Sequence, residues 1–137
     1  MRYFIDTSSL FKKYIDEHGS DEFGELVSKA SEIAVSPIAW IEMNAAIAKA
    51  LRRKLLTSEN AQRLQSEMRR DFSFFSVLAW NENLENKTVE IIFQHALKTM
   101  DAIQLASGFL SDSGIFVTSD RQLYRAAKKT LRHVRFV

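Results

Sequence analysis

Four acidic residues stand where solubility does not call for an acid. Asp6 ends the apolar run "RYFI" and is followed by three hydroxyl residues, Thr7, Ser8 and Ser9. Asp120 ends a second such run, "IFVTS". Glu42 lies in "PIAWIEMNAAIAKAL", with Ile38, Ala39, Ala45 and Ala46 on its own helical face. Asp101 shares an i, i+4 row with Leu97 and Leu105 in "HALKTMDAIQLASGFL". Each has a plain structural explanation. Asp6 and Asp120 are good N-caps, although Ser8 or Ser119 could cap equally well. Glu42 can pair with a distant Lys or Arg. Asp101 suits the first turn of a helix starting near Thr99. An acid on an apolar face must still find a cation or a donor, because an unpaired buried charge is costly.

If the four meet in one pocket, they cannot all ionise unless positive charge sits between them. Oxygen-only donors favour hard cations, so Mg²⁺ is the natural partner and Mn²⁺ its substitute. Acids holding one or two such ions suit attack on a phosphodiester. No other chemistry competes. The chain has no Cys, no Gly-rich phosphate loop and no Gly-x-Ser-x-Gly elbow, and its histidines, His18, His95 and His133, are scattered.

The elements that must position these acids alternate. Strands are expected at "RYFI", "IAVS", "FSVLAW" and "IFVTS", with "VRFV" as a short fifth. Helices are expected at "SLFKKYI", "DEFGELVSKASE", "SPIAWIEMNAAIAKALRRK", "TSENAQRLQSEMRRDF", "NLENKTVEIIFQHAL", "TMDAIQLASGFLSDSG" and "DRQLYRAAKKTL". In the third of these Ser36 is the expected N-cap and Pro37 the first helical residue. Strands separated by helices imply crossover connections, hence an α/β fold with a mainly parallel sheet of 4–5 strands and helices on both faces. In such sheets a site lies outside the carboxyl ends of the strands, where Asp6 and Asp120 both emerge. The aromatic-rich "DFSFFSVLAW" reads as core first, with a contact between subunits as the lesser reading.

The 137 residues read as a single domain, 1–137, without repeats or linkers. With 46% hydrophobic and 26% charged residues the composition is that of a globular chain. No apolar stretch is long enough for a membrane span, and Asp6 interrupts what a secretory signal would need. A cytoplasmic protein without a membrane partner is the expectation. The net charge of +2 permits nucleic acid as a partner without establishing it. The basic residues cluster in "KALRRK", at Arg69 and Arg70, and in "RAAKKTLRHVR".

With these motifs laid out, the chain resembles the PIN-domain ribonucleases, and most of all the VapC toxins of toxin–antitoxin modules, over essentially its whole length. "FIDTSSLFKKYIDEHGSDEF" is similar to the family's opening, and "SPIAWIEMNAAIAKALRRK" to its second motif, with Glu42 as the helix-borne acid. "HALKTMDAIQLASGF" and "FVTSDRQLYRAA" are similar to the third and fourth, with Asp101 and Asp120. The resemblance implies a three-layer PIN-like α/β/α fold and a Mg²⁺-dependent endoribonuclease acting as a toxin. It implies Asp6, Glu42 and Asp101 as catalytic, metal-site acids, with Asp120 completing the quartet. Ser8 and Thr118 would support them, and Thr118 is equally an ordinary β-branched strand residue. His95, Lys98 and Arg121 are weaker candidates for holding RNA phosphates. Asn44 would touch the site or face a neighbouring helix. The resemblance also implies a homodimer and a VapB-like antitoxin whose tail enters the acidic groove. A PIN nuclease that is not a toxin, and a PIN module that binds without cleaving, are the alternatives.

Overall fold

The computed structural model describes residues 1–137. Five strands form one sheet: β1 (Arg2–Ile5), β2 (Glu32–Val35), β3 (Ser76–Val77), β4 (Ile115–Thr118) and β5 (Val134–Phe136). Their order is β3-β2-β1-β4-β5 and every pairing is parallel. The seven helices are α1 (Thr7–Leu10, continued by a 3₁₀ turn at Phe11–Lys13), α2 (Ser20–Val27), α3 (Ala39–Arg52), α4 (Ser58–Phe72), α5 (Glu82–Gln94), α6 (Thr99–Leu110) and α7 (Arg121–Thr130). The expected mainly parallel, five-stranded α/β/α architecture is what forms.

Side-chain alternation along each strand builds the three layers. Tyr3, Ile5, Val35 and Val117 face one way and pack with Leu10, Phe23, Met43, Leu64 and Met68 from the helices α1 to α4. Phe4, Ala34 and Phe116 face the other way and pack with Leu84, Ile91, Leu105 and Leu123 from α5 to α7. Phe4 and Phe116 stack across β1 and β4, 5.3 Å between ring centres. α6 lies directly on this pair. A Cβ on Gly108 would overlap the Phe116 ring and stand 3.3 Å from Phe4 Cδ1, so a bare backbone is required at that contact.

Three local expectations are adjusted. Regular helix α3 begins at Ala39 rather than Pro37. Residues Ser36 to Ile38 form a turn in which Ser36 Oγ accepts the Ile38 N–H at 3.3 Å, and Ile38, not Ser36, takes the N-cap position, without a side-chain cap bond. The third strand pairs over only two residues of "FSVLAW". Leu78 N–H reaches Val35 O at 3.0 Å, and then the chain leaves the sheet edge for Asn81, which caps α5. Within "DFSFFSVLAW", Phe72 and Phe75 pack on the core while Phe74 is 81% exposed, so the run is only partly core. No helix is long and apolar enough to cross a membrane.

Candidate functional site

The carboxyl ends of β1 and β4 adjoin, because Ile5 pairs with Val117. Asp6 N–H continues the ladder to Val117 O at 2.9 Å, which fixes the first acid just beyond the strand. Its side chain does not cap α1. Instead Asp6 Oδ2 accepts from Ser8 Oγ at 2.5 Å and from Thr118 Oγ1 at 2.8 Å. Thr118 Oγ1 also accepts the Asp120 N–H at 3.1 Å, so one buried hydroxyl ties the two strand-end acids together. Ser8 Oγ likewise accepts the Ser119 N–H at 3.0 Å. Asp120 does cap its helix: Oδ1 accepts the Leu123 N–H at 2.8 Å.

The two helix-borne acids come from α3 and α6. Glu42 Oε1 accepts from Thr7 Oγ1 at 3.1 Å and from Gln104 Nε2 at 2.6 Å. It has the donors its apolar surroundings demand, and they are neutral ones. Asp101 sits in the first turn of α6, where the helix dipole favours an acid. Asp6, Glu42, Asp101 and Asp120 line one open cleft of about 370 Å³ with Thr7, Ser8, Phe11, Glu17 and Ala46.

The electrostatics of the cleft are those of crowded, desolvated acids. Burial pushes the Asp6 carboxyl up to about 7; the Ser8 and Thr118 hydroxyls act against this, while Glu42 and Asp101 add to it. Asp101 is also raised, by burial first and then by Asp120 and Glu42, with Lys98 acting the other way. The chain's ion pairs, Arg2–Glu32, Lys12–Glu17, Lys13–Asp71 and Lys87–Glu90, leave all four acids out. Asp6, Glu42 and Asp120 each give one oxygen to protein donors and keep the other free; Asp101 keeps both. As the side chains stand, no three of them already form a shell around one point. The donor set nevertheless fits a hard divalent cation: oxygen only, negative, and not neutralised by Lys or Arg.

Sequence reasoning missed Gln104 and Thr7. Gln104 is 1% exposed, and its Nε2 serves both Glu42 and, at 2.8 Å, Thr7 Oγ1. Its Oε1 is buried without a partner. The available signal was spacing: Gln104 lies three residues after Asp101, on the same helical face. The weaker candidates lie outside the cleft lining. His95 ends α5 and meets Thr130 Oγ1 at 3.3 Å through Nε2. Lys98 is exposed before α6, close enough to act on Asp101. Arg121 opens α7, its guanidinium over the Phe136 ring. Asn44 faces α4, accepting from Gln65 Nε2 at 2.6 Å.

The family model of the PIN domain matches residues 3–129. The chain belongs to the PIN-domain family. Ribonuclease VapC3 of Pyrobaculum aerophilum is 27% identical over 125 residues, covering 90% of this chain and 92% of the relative. Among solved structures, VapBC2 of Rickettsia felis, bound to a DNA fragment from their promoter, superposes with a TM-score of 0.72 at 14% identity, over 100% of this chain and 99% of that one. VapBC-1 of nontypeable Haemophilus influenzae does so with 0.71 at 13% identity, over 99% and 98%. These two likenesses are of fold, and they extend over the whole PIN domain, including the four elements that carry the acids.

Proposed function

We propose that this PIN domain is a divalent-metal-dependent endoribonuclease, with Mg²⁺ as the ion and Mn²⁺ as a substitute. One observation carries the reading: four carboxylates from four separate elements line a single cleft with free oxygens, and none of them is ion-paired to a Lys or Arg. Asp6, Glu42, Asp101 and Asp120 would hold the ion. Bound there, it supplies Lewis acidity toward a phosphodiester and toward a water. The chain does the positioning. Ser8 and Thr118 fix the Asp6 carboxylate, Thr7 and Gln104 fix Glu42, and the α7 cap fixes Asp120. Each tethered acid keeps one free oxygen, which is what an ion and its water need.

The toxin role and a VapB-like antitoxin are supported by the VapC relative and by the VapBC complexes of like fold. Self-association as a homodimer is supported by exposed apolar residues in a row on α5, Val89, Ile92 and Phe93. Light scattering on the purified chain tests it.

New RNA 5′ ends mapped in cells induced for the wild type, beside Asp101→Asn, test the reaction. Ends that require Asp101, with growth arrest, are the expected result. Equal cleavage by the Asn variant sinks the mechanism. Cleavage without growth arrest favours a PIN nuclease that is not a toxin.

A further inference from the structure

The acidic cleft poses a problem for a polyanion: four carboxylates without an ion-pair partner repel the backbone they are to meet. Affinity must come from outside the cleft. The basic stretch at the end of the chain lies in position to supply it. Residues 121–137 contain six Lys or Arg and no acid. None of the six has a carboxylate partner anywhere in the chain.

Their placement is directional. α7 starts at Asp120, on the lip of the cleft, and buries Leu123, Ala126 and Ala127. At 100° per residue, Arg121, Arg125 and Lys128 fall in one narrow row on the opposite face. That row runs about 10 Å back along the sheet. It ends at a second cavity of about 370 Å³ by the starts of β1, β4 and β5, lined by Tyr124, Lys128, Arg132, His133 and Arg135 around Leu131. Arg121 rests over the Phe136 ring at 4.6 Å, and Lys128 over Tyr124 at 5.5 Å. Aromatic faces hold these cations in place without neutralising them.

We propose that this row is an RNA-backbone track, taking single-stranded RNA from the cleft along α7 into the Tyr124–Arg135 cavity. It rests on the ribonuclease reading for its substrate and adds a binding site outside the catalytic acids. The other basic clusters do not serve the cleft in this way. Lys49 to Lys54 lie at the far end of α3, and Arg69 lines a different cavity, with Pro37, Trp40 and Phe72.

The test compares Arg125→Gln/Lys128→Gln/Arg132→Gln with a charge-matched control, Lys49→Gln/Arg52→Gln/Arg53→Gln. Both are made in the Asp101→Asn background, so that RNA stays intact. The probe is a fluorescein-labelled, mixed-sequence single-stranded RNA, titrated with Mg²⁺ present at several salt concentrations. Circular dichroism checks that these exposed changes leave the fold alone. The track predicts about tenfold weaker binding and a log–log salt slope shallower by about 2 for the α7 variant, and little change for the control. Equal losses in both, no loss in either, or no binding by the parent overturns it. Cleavage is scored separately, with Asp101 restored: the α7 variant should raise KM and leave kcat. RNA bound through α7 but never cut would leave the track standing and remove the nuclease reading. Cutting with unchanged KM and affinity would do the reverse.

Discussion

At the scale of single residues the cleft is a set of acids held by hydroxyls and amides instead of by cations. Asp6 shows the consequence. Its carboxyl, ordinarily near 3.8, is pushed to about 7, mainly by burial. A raised acid pKa means that the folded state holds the proton more tightly than the unfolded state. The stability it contributes is therefore complete below about 4 and is lost as pH rises through about 7. The metal-free protein should show a falling melting temperature across that window, and Asp6→Asn should flatten the fall and melt higher at neutral pH. A metal-free wild type whose stability is level from pH 4 to 8 would contradict the desolvated state of Asp6. Gln104 gives a second prediction. Gln104→Leu removes a donor from Glu42 and so frees that carboxylate to turn. Hydrogen bonds to charged groups contribute about 1.5–3 kcal/mol, so turnover should drop about ten- to a hundredfold. The Mg²⁺ concentration for half-maximal rate should rise with it, which a purely structural role would not produce.

At the scale of elements, α6 is the piece on which the site most depends. It carries Asp101 and Gln104, and it reaches the sheet only because Gly108 lets it lie on Phe4 and Phe116. Gly108→Ala should lift the helix from the stacked rings and destabilise the fold by about 1–3 kcal/mol, as overpacking does. Chemical denaturation measures this directly; an unchanged midpoint would mean that α6 shifts at no cost. The strand pair β1 and β4 has the matching role for the other two acids, since adjacent parallel strands deliver Asp6 and Asp120 to the same edge. Thr118→Val keeps the strand shape and removes the hydroxyl between them. It should lower activity while altering the melting temperature little more than the loss of one hydrogen bond, about 1 kcal/mol.

For the whole molecule, charge is divided between an acidic cleft and a basic edge formed by α7 and β5. An ion bound by the folded cleft alone should couple to global stability. Mg²⁺ or Mn²⁺ should raise the melting temperature by several degrees, more at pH 8 than at pH 5, where Asp6 is protonated; chelation should reverse it. No shift at either pH would argue against a divalent site. Much of this was legible in the sequence. The alternation of strand and helix, the parallel sheet and the four out-of-place acids follow from local pattern, because apolar periodicity and misplaced charge are written residue by residue. The partners of those acids were not. Whether Asp6 caps α1 or is held by Thr118, more than a hundred residues away, depends on which strands adjoin. Whether Glu42 meets a Lys or the Gln104 amide depends on how α3 and α6 cross the sheet edge. The short β3 and the exposed Phe74 were likewise hidden, since edge pairing is set by neighbours rather than by β propensity. The sequence by itself determined which elements form and which residues are chemically unusual. Only the tertiary structure decided what each acid touches, because hydrogen bonds are short and directional, and chain neighbours carry no information about groups brought together from opposite ends of the chain.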